Sequence, residues 1–279
     1  MRPATKPLQR PPEARLLVVP ADGSLRHAAR ARLADHLHPG DVLVANDAAT
    51  MPASLRGVHG PSGGELEVRL AGRPSLGVDE VAVFTAIAFG EGDHRIRTED
   101  RPPPPPLLPG DELLLGHLRA VVVRTLGHPR LVELRFRGTP DTIWDGISRH
   151  GRPIQYAHVP DPLAPWDVWT RVAAVPVAFE APSAGFALDW RLLAELRTRD
   201  VGFATITLAA GISSTGDPSL DARLPLDEAY EVPASTQAAV ARTRARGGRV
   251  VALGTTVSRD RRPRARREPL RATPRVRDR

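Results

Sequence analysis

The chain contains no cysteine among its 279 residues. This absence excludes a disulfide framework, a thiolate metal site and a cysteine nucleophile. The chain also lacks a run of about 18 apolar residues, which a membrane-spanning helix requires, and its first residues lack the apolar core of a signal peptide. We therefore expect a cytoplasmic protein that does not enter a membrane.

Several motifs with known chemistry are missing as well. The sequence has neither the phosphate loop Gly-x4-Gly-Lys-Ser/Thr nor a Gly-x-Gly-x-x-Gly turn after a predicted strand. Its nine histidines are scattered and never show the His-x3-His spacing of a zinc-binding helix. We expect no metal site and no bound cofactor.

The excess of positive charge lies at one end of the chain. The net charge is +7, and residues 259–279 carry ten arginines against three acidic residues, which accounts for all of it. We expect residues 258–279 to be a disordered basic tail, because they show no apolar periodicity. An alternative is that this tail tethers nucleic acid, which predicts steeply salt-dependent RNA binding.

The most informative segment is Pro39–Leu55. A Pro-Gly turn leads into an apolar run over residues 42–45, and the run ends in Asn46 and Asp47. A buried strand that brings an amide and a carboxylate to its carboxyl end is typical of ligand sites in open α/β sheets. Upstream, the patterns predict a buried strand at Arg15–Val19 and a helix at Arg26–Leu37.

From about residue 56 the pattern changes to short alternating runs that Gly, Pro and Asp interrupt. Several short strands with little helix predict a small β-barrel or sandwich inserted into the chain. The proline-rich residues 101–110 are predicted to be a surface loop. The predicted strands are Glu65–Leu70, Val81–Phe89, Leu113–Leu115, Ala120–Thr125 and Leu131–Phe136.

After residue 140 the alternation of helix and strand returns. We expect a discontinuous α/β domain built from residues 1–55 and 150–257, with a β-barrel-like domain inserted at residues 56–149. The predicted elements of the second part are a helix at Trp190–Arg199, a strand at Phe203–Leu208, a helix at Pro233–Arg246 and a strand at Arg249–Leu253.

Three polar clusters follow predicted strands: Asn46-Asp47, Ala181–Gly185 and Gly254–Thr256. Small residues let the backbone approach a ligand closely, and their amides can bind an oxygen atom. Each cluster also has an ordinary interpretation as a turn. Three of them in one α/β domain predict a shared pocket.

Taken in order, these blocks resemble the S-adenosylmethionine:tRNA ribosyltransferase-isomerase family of queuosine biosynthesis. The resemblance covers roughly residues 7–259. Its blocks are Arg15–Val18, Leu25–His27, Pro39–Asp47, Met51–Leu55, Gly63–Val68, Thr170, Ala181–Gly185, Glu228–Tyr230 and Ala252–Arg259.

This resemblance implies transfer of the ribosyl part of S-adenosylmethionine to a 7-deazaguanine base in tRNA. Adenine and methionine leave, and the ribose becomes an epoxycyclopentane. S-adenosylmethionine is then a consumed substrate, tRNA is the partner, and we expect a monomer. The implied catalytic base is Asp47, whose alternative role is to cap a turn. The implied substrate-binding residues are Arg15, Asn46, Ser183, Gly185, Thr255 and Thr256.

The chain departs from the family pattern at several polar positions. Where the family has a threonine and a cation after Asn-Asp, this chain has Ala48 and Ala49, and Ser54 replaces an arginine. Three family histidines are replaced by Ala187, Ala209 and Leu226. The alternative function is therefore an inactive or repurposed paralogue that binds S-adenosylmethionine or RNA without this reaction.

The arginine-rich end also departs from the family, which continues with a further α/β segment. One hypothesis is a changed reading frame or an early stop, and its rival is a natural short paralogue.

Overall fold

The computed structural model describes residues 14–258. Within them, a four-stranded sheet has the order β13-β12-β3-β14, in which β3 is parallel to both β12 and β14. Every residue of β3 is buried, as expected for a parallel strand covered on both faces. The strands are β3 (Val42–Asn46), β12 (Gly202–Leu208), β13 (Tyr230–Glu231) and β14 (Val250–Ala252).

Helices cover both faces of this sheet. On β3, Leu43 and Ala45 belong to the cluster that contains Leu192 and Leu196 of helix α3 (Trp190–Thr198). The alternate residues Val42 and Val44 pack with the side chains of helix α5 (Ala234–Ala245). The period of two along a strand thus explains how one short apolar run contributes to two cores. The predictions of α3, α5, β3, β12 and β14 are confirmed to within one or two residues at each end.

A closed six-stranded barrel lies between β3 and the later strands of the sheet in chain order, with the strand order β10-β7-β6-β5-β8-β9. Its core includes Phe84, which meets Phe136 edge to face at 5.7 Å. The barrel strands are β5 (Ser54–His59), β6 (Glu65–Gly72), β7 (Val83–Phe89), β8 (Glu112–Leu115), β9 (Leu118–His128) and β10 (Leu131–Phe136).

The predicted fold class, a discontinuous α/β domain with an inserted small β-barrel, is confirmed. Helix α1 (Pro140–His150) follows the barrel, and its Ile143 and Ile147 belong to the barrel core. The division of the chain at residues 55/56 and 149/150 stays a prediction. The remaining helices are α2 (Pro165–Val168), α4 (Pro218–Asp221) and α6 (Thr255–Ser258), together with 3-10 turns at Arg30–His36, Thr98–Asp100 and Ser183–Ala187.

Two small sheets complete the described architecture. Strand β4 (Ala48–Thr50) pairs in parallel with β11 (Val175–Ala178). Strand β1 (Arg15–Val18) pairs antiparallel with β2 (Arg26–Ala29).

Near the start of the chain one sequence prediction is wrong, and a second is confirmed as a strand but not as a buried one. The predicted helix at Arg26–Leu37 begins as strand β2, because the backbone of residues 26–29 pairs with β1, and it continues as a 3-10 turn. The predicted buried strand β1 is partly exposed, with Leu17 at 57%. A two-stranded sheet leaves one face uncovered, which explains this exposure.

The proline-rich residues 101–110 contain no helix or strand, as predicted, although Arg101 and Leu107 are buried. The predicted basic tail falls outside the described residues except for Ser258.

Candidate functional site

The second and third predicted clusters meet at the carboxyl end of β14. Gly254 directly follows β14, and a Cβ built on it would lie 2.7 Å from the Cβ of Ala184. Its φ of +96° also favours glycine. The 3-10 turn Ser183–Ala187 is therefore packed against the start of α6, which brings Ser183 and Gly185 near Thr255 and Thr256.

The exposed surfaces of this junction are polar. Ser183 and Thr255 are exposed, whereas Thr256 is half-buried and Gly185 is buried. Helix α6 contacts the ends of β3, β12 and β14. The four predicted residues of these two clusters thus lie at one edge of the sheet, where open α/β folds bind ligands.

Asn46 has a structural function at the same edge. Its Nδ2 donates to the carbonyl oxygen of Leu208 at 3.0 Å, and its Oδ1 accepts from the backbone N–H groups of Leu208 at 3.0 Å and Ala48 at 3.1 Å. The side chain is 2% exposed. Because these bonds occupy both lone pairs of the amide oxygen, Asn46 shapes the edge, and its contact with a substrate stays a prediction.

Asp47 is half-buried next to it. Its Oδ1 accepts a hydrogen bond of 2.6 Å from the Oγ1 of Thr207 on β12. Across residues 14–258, the second carboxylate oxygen has no hydrogen-bond partner. The hydrogen bond to Oδ1 therefore fixes the orientation of the Asp47 carboxylate, and Oδ2 is available to accept a proton from a substrate.

Arg15 is exposed on β1, which pairs with β2 and not with the strands of the four-stranded sheet. The small sheet adjoins the Ser183–Ala187 turn, since Arg30, the residue after β2, donates from its Nη1 to the carbonyl oxygen of Ala187 at 3.5 Å. The role of Arg15 as a substrate contact stays a prediction.

Thr170, one of the blocks of the family resemblance, packs against Gly185. It is 6% exposed, and its methyl carbon would lie 2.8 Å from a Cβ on Gly185. Its buried hydroxyl has no hydrogen-bond partner in the described part of the chain. A buried hydroxyl without a partner costs about 1–3 kcal/mol, so a ligand oxygen or nitrogen beside Gly185 would relieve this cost.

Glu180 immediately precedes the Ala181–Gly185 block and was missed by the sequence reasoning. One carboxylate oxygen accepts a short hydrogen bond from the Tyr156 hydroxyl, and the other accepts from the Oγ of Ser213 at 2.9 Å. Burial raises the pKa of Glu180, although these hydrogen bonds and the charge of Arg69 oppose the rise. Burial and the neighbouring carboxylate raise the pKa of Tyr156 as well. A carboxyl group perturbed in this way marks a functional-site candidate.

The loop that carries Ser213 is fixed by two acidic residues. Glu228 accepts from the N–H of Gly211 at 2.9 Å. Asp221 accepts from the N–H and the hydroxyl of Thr215 at 2.6 and 2.7 Å and from the Oγ of Ser214 at 2.8 Å. Burial alone would raise the pKa of Asp221, but these hydrogen bonds outweigh it and lower the pKa. The loop over residues 211–216 is therefore held by hydrogen bonds to two carboxyl groups.

The barrel carries a buried ionic cluster around Glu67. Glu67 accepts from Arg69 Nε at 2.7 Å, from Ser54 Oγ at 2.8 Å and from Arg101 through a short contact. The guanidinium groups of Arg69 and Arg101 lie 4.7 and 5.6 Å from the ring centre of Phe89. Burial alone would raise the pKa of Glu67, but the two arginines outweigh it and lower the pKa.

A second arrangement has the hydrogen-bond order of a hydrolytic triad. In the turn between β5 and β6, His59 Nδ1 lies 2.8 Å from Ser62 Oγ, and His59 Nε2 lies 3.0 Å from Asp111 Oδ2. The segment Gly60–Gly64 also has the Gly-x-Ser-x-Gly spacing. The backbone N–H groups of Gly60, Gly63 and Gly64 are all engaged within the fold, by Glu112 O, His59 O and Ser62 Oγ. No oxyanion donor remains among these three groups, so the arrangement stabilises the turn.

Two cavities open on the described surface. The larger, of about 490 Å³, lies between α1 and the barrel and is lined by His117, Asp141, Asp145, His150 and their neighbours. The smaller, of about 380 Å³, is lined by residues 97–99 and 156–158, next to Glu180. Residues 14–258 hold no group of three or more His, Cys, Asp or Glu side chains suited to a metal ion. No helix in that range has the length and apolarity needed to cross a membrane.

Comparison with known proteins identifies the family. Residues 2–265 match the family described as queuosine biosynthesis protein. The chain is also similar to a solved structure described as an S-adenosylmethionine tRNA ribosyltransferase from Thermotoga maritima, with 21% identity over 94% of this chain and 70% of that chain and a TM-score of 0.37. The family match spans nearly the whole sequence, which confirms the resemblance drawn from the ordered blocks. The chain belongs to the queuosine biosynthesis protein family.

Proposed function

We propose that this protein transfers and isomerises the ribosyl part of S-adenosylmethionine onto a 7-deazaguanine base in tRNA. The observation that carries the proposal is the meeting of the Ala181–Gly185 and Gly254–Thr256 blocks at the sheet edge that also presents Asp47. Membership of a queuosine biosynthesis family supports it independently.

In this proposal the edge binds S-adenosylmethionine. Ser183, Gly185, Thr255 and Thr256 contact the substrate, and Asn46 fixes the end of β3 beneath it. The sulfonium makes the adjacent 5′ carbon acidic, and the free oxygen of Asp47 accepts the proton from that carbon. The amine of the tRNA base then replaces adenine at the ribosyl carbon and passes a proton to it. The 5′ carbon uses its electron pair to close the ribose to the epoxycyclopentane, and methionine leaves with the electrons of the broken carbon–sulfur bond. The protein thus acts mainly by holding the reacting groups together.

The test is adenine release from S-adenosylmethionine in the presence of precursor tRNA. The wild-type protein releases adenine, and Asp47→Asn lowers the rate at least about 100-fold, because general-base catalysis contributes about 10²–10⁴-fold. Asp227→Asn is the matched control, since Asp227 is exposed, and it retains the rate. Full activity of Asp47→Asn would remove Asp47 from the mechanism.

A second candidate function is binding without this reaction. At the positions where the resembled family has polar groups, Ala48 is 0% and Ala209 is 2% exposed, and both pack in one apolar cluster with Val177 and Leu208. This packing favours a paralogue that has replaced catalytic groups with core. Calorimetric binding of S-adenosylmethionine without adenine release would support this function, and adenine release would reject it.

The proposed tRNA partner can contact the body of the protein or residues 259–279. A variant without residues 259–279 distinguishes the two. If the ten arginines of this segment bind RNA, the variant should have a lower affinity for RNA and a weaker dependence of that affinity on salt concentration. Unchanged affinity would assign RNA binding to the body.

A further inference from the structure

Arg30 is a cation without an acidic partner beside the candidate site. It follows β2 and begins the 3-10 turn at Arg30–His36. Within residues 14–258 its guanidinium makes one hydrogen bond, a long one of 3.5 Å from Nη1 to the carbonyl oxygen of Ala187, and it forms no ion pair. Its Nε is buried and also lacks a partner there. The fold therefore leaves most of the hydrogen-bonding capacity of this guanidinium unused.

The backbone and the neighbouring core fix the position of Arg30. Its backbone N–H donates to the carbonyl oxygen of Ala14 at 2.9 Å. The same 3-10 turn contributes Ala34 to the buried cluster that contains Leu188 and Leu192. Arg30 itself is half-buried. A cation in this position attracts an anion more strongly than a fully exposed one does, because less water screens the charge.

The turn that Arg30 contacts borders a second unsatisfied group. Ala187 ends the turn Ser183–Ala187, and Gly185 of the same turn packs against Thr170. Thr170 is 6% exposed, and its hydroxyl has no hydrogen-bond partner in the described part of the chain. The fold thus leaves two buried polar atoms unpaired beside residues two positions apart in one turn. Buried polar atoms are rarely left unpaired, so this turn calls for a ligand that supplies polar atoms.

The chemistry of Arg30 indicates the kind of ligand. A guanidinium presents a planar fork of N–H groups that matches two oxygens of a carboxylate or a phosphate. Because Arg30 is half-buried, it suits a terminal anion on a small molecule better than a phosphate within an RNA strand, where the chain continues on both sides. The terminal anion of S-adenosylmethionine is the carboxylate of its methionine part.

We infer that Arg30 binds the carboxylate of S-adenosylmethionine beside the Ser183–Ala187 turn and makes the site specific for a substrate that has this group. The inference rests on the proposed function for the identity of the ligand. It deepens that function by adding a residue that orients the part of the substrate that leaves as methionine.

The test compares three probes by calorimetry on the full-length protein: S-adenosylmethionine, its decarboxylated form and a single-stranded RNA heptamer. Wild type is expected to bind S-adenosylmethionine at least about tenfold more tightly than the decarboxylated form, because a hydrogen bond to a charged group contributes about that much to affinity. Arg30→Gln is expected to lose this preference by weakening the binding of S-adenosylmethionine alone. Arg30→Lys keeps the charge without the planar fork and should retain part of the preference.

A matched control lies two residues further along the same turn. The side chain of Arg32 is 72% exposed and pairs with Asp35 at 2.5 Å. Arg32→Gln removes one positive charge, as Arg30→Gln does, and should bind all three probes like wild type. Should Arg30→Gln fail to fold, Arg30→Lys and the preference of the wild type still decide.

The outcomes separate this inference from the proposed reaction. A preference for the carboxylate that depends on Arg30, without any adenine release, supports the inference and rejects the reaction. Adenine release by a protein whose preference does not depend on Arg30 supports the reaction and overturns the inference. The inference is also overturned if the wild type does not prefer S-adenosylmethionine, if it does not bind it, or if Arg30→Gln weakens only the binding of the heptamer.

Discussion

The side-chain amide of Asn46 pairs with the backbone of Leu208 through two hydrogen bonds of 3.0 Å each. The backbone pairing of β3 with β12 ends at Ile206 opposite Asn46. The amide therefore extends the pairing beyond the point where the two backbones diverge. This contact fixes the carboxyl end of β3, from which Asp47 projects.

Replacing this amide should destabilise the fold. Asn46→Ala leaves the buried N–H groups of Leu208 and Ala48 without their partner, whereas the C=O group of Leu208 still accepts from the N–H of Ala210. We expect a loss of about 2–4 kcal/mol, because each buried unpaired group costs about 1–3 kcal/mol. Urea unfolding measures the change. Ser148→Ala, an exposed position on α1, serves as the control and should change stability by less than about 0.5 kcal/mol. A loss as small as that of the control would contradict the structural function of Asn46.

The ion pair at the opposite end of β3 predicts a pH dependence. Arg249 binds Asp41 through its side chain and its backbone N–H, and this interaction is the main reason that the pKa of Asp41 falls from 3.8 to about 2. A lowered pKa contributes stability that is present above pH 4 and is lost as the pH falls toward 2. The shift corresponds to about 2 kcal/mol at neutral pH.

The comparison of wild type with Asp41→Asn measures this contribution. The difference in free energy of unfolding should be greatest at pH 5 and above and should shrink toward pH 2. Asp145→Asn breaks an exposed pair with Arg149 and should show a difference below about 0.5 kcal/mol at each pH. A difference for Asp41→Asn that does not vary with pH would show that Asp41 acts through packing alone.

The contact between the two site clusters can be tested by comparing alanine variants of two glycines that have the same φ angle. Gly254 and Gly110 both have a φ of +96°, but a Cβ on Gly110 meets nothing within 4 Å. We expect both alanine variants to lose about 1–3 kcal/mol from the strained backbone. Gly254→Ala should lose about 1–3 kcal/mol more, because its methyl group collides with Ala184. Equal losses in urea unfolding would mean that the two clusters do not meet as described.

The Ser62–His59–Asp111 arrangement should be chemically inert. Since the neighbouring backbone donors are engaged, an acyl transition state at Ser62 would find no oxyanion stabilisation from them. We expect a fluorophosphonate probe to label wild type and Ser62→Ala equally, as read by intact-protein mass spectrometry. Labelling that disappears only in Ser62→Ala would reveal an activated serine.

The main sheet could be predicted from sequence because its strands are short apolar runs bounded by clear turn residues. β3 is the best example, since the turn residues Pro39 and Gly40 precede it and Asn46 ends it. The structure of residues 26–36 could not be predicted from sequence, because the apolar spacing of Ala29 and Leu33 suits a helix and also a segment that starts as a strand. Residues 26–29 form strand β2 because they pair with β1, and a local sequence pattern does not reveal that pairing.

The candidate site shows the same division. The positions of Asn46, Ser183 and Thr255 at strand ends followed from local pattern. Glu180 did not, because its importance comes from burial and from partners 24 and 33 residues away in sequence, Tyr156 and Ser213. The engagement of Asn46 by Leu208, 162 residues away, was likewise invisible to a local pattern.

The position of Arg69 has a consequence for how this protein can evolve. Arg69 belongs to barrel strand β6, yet its charge opposes the rise that burial causes in the pKa of Glu180, which lies beside the Ala181–Gly185 turn. The acidity of a group beside the sheet edge therefore depends in part on a residue of the inserted barrel. Exchanging the barrel for one that lacks an arginine at this position would remove the opposing charge and raise the pKa of Glu180 further.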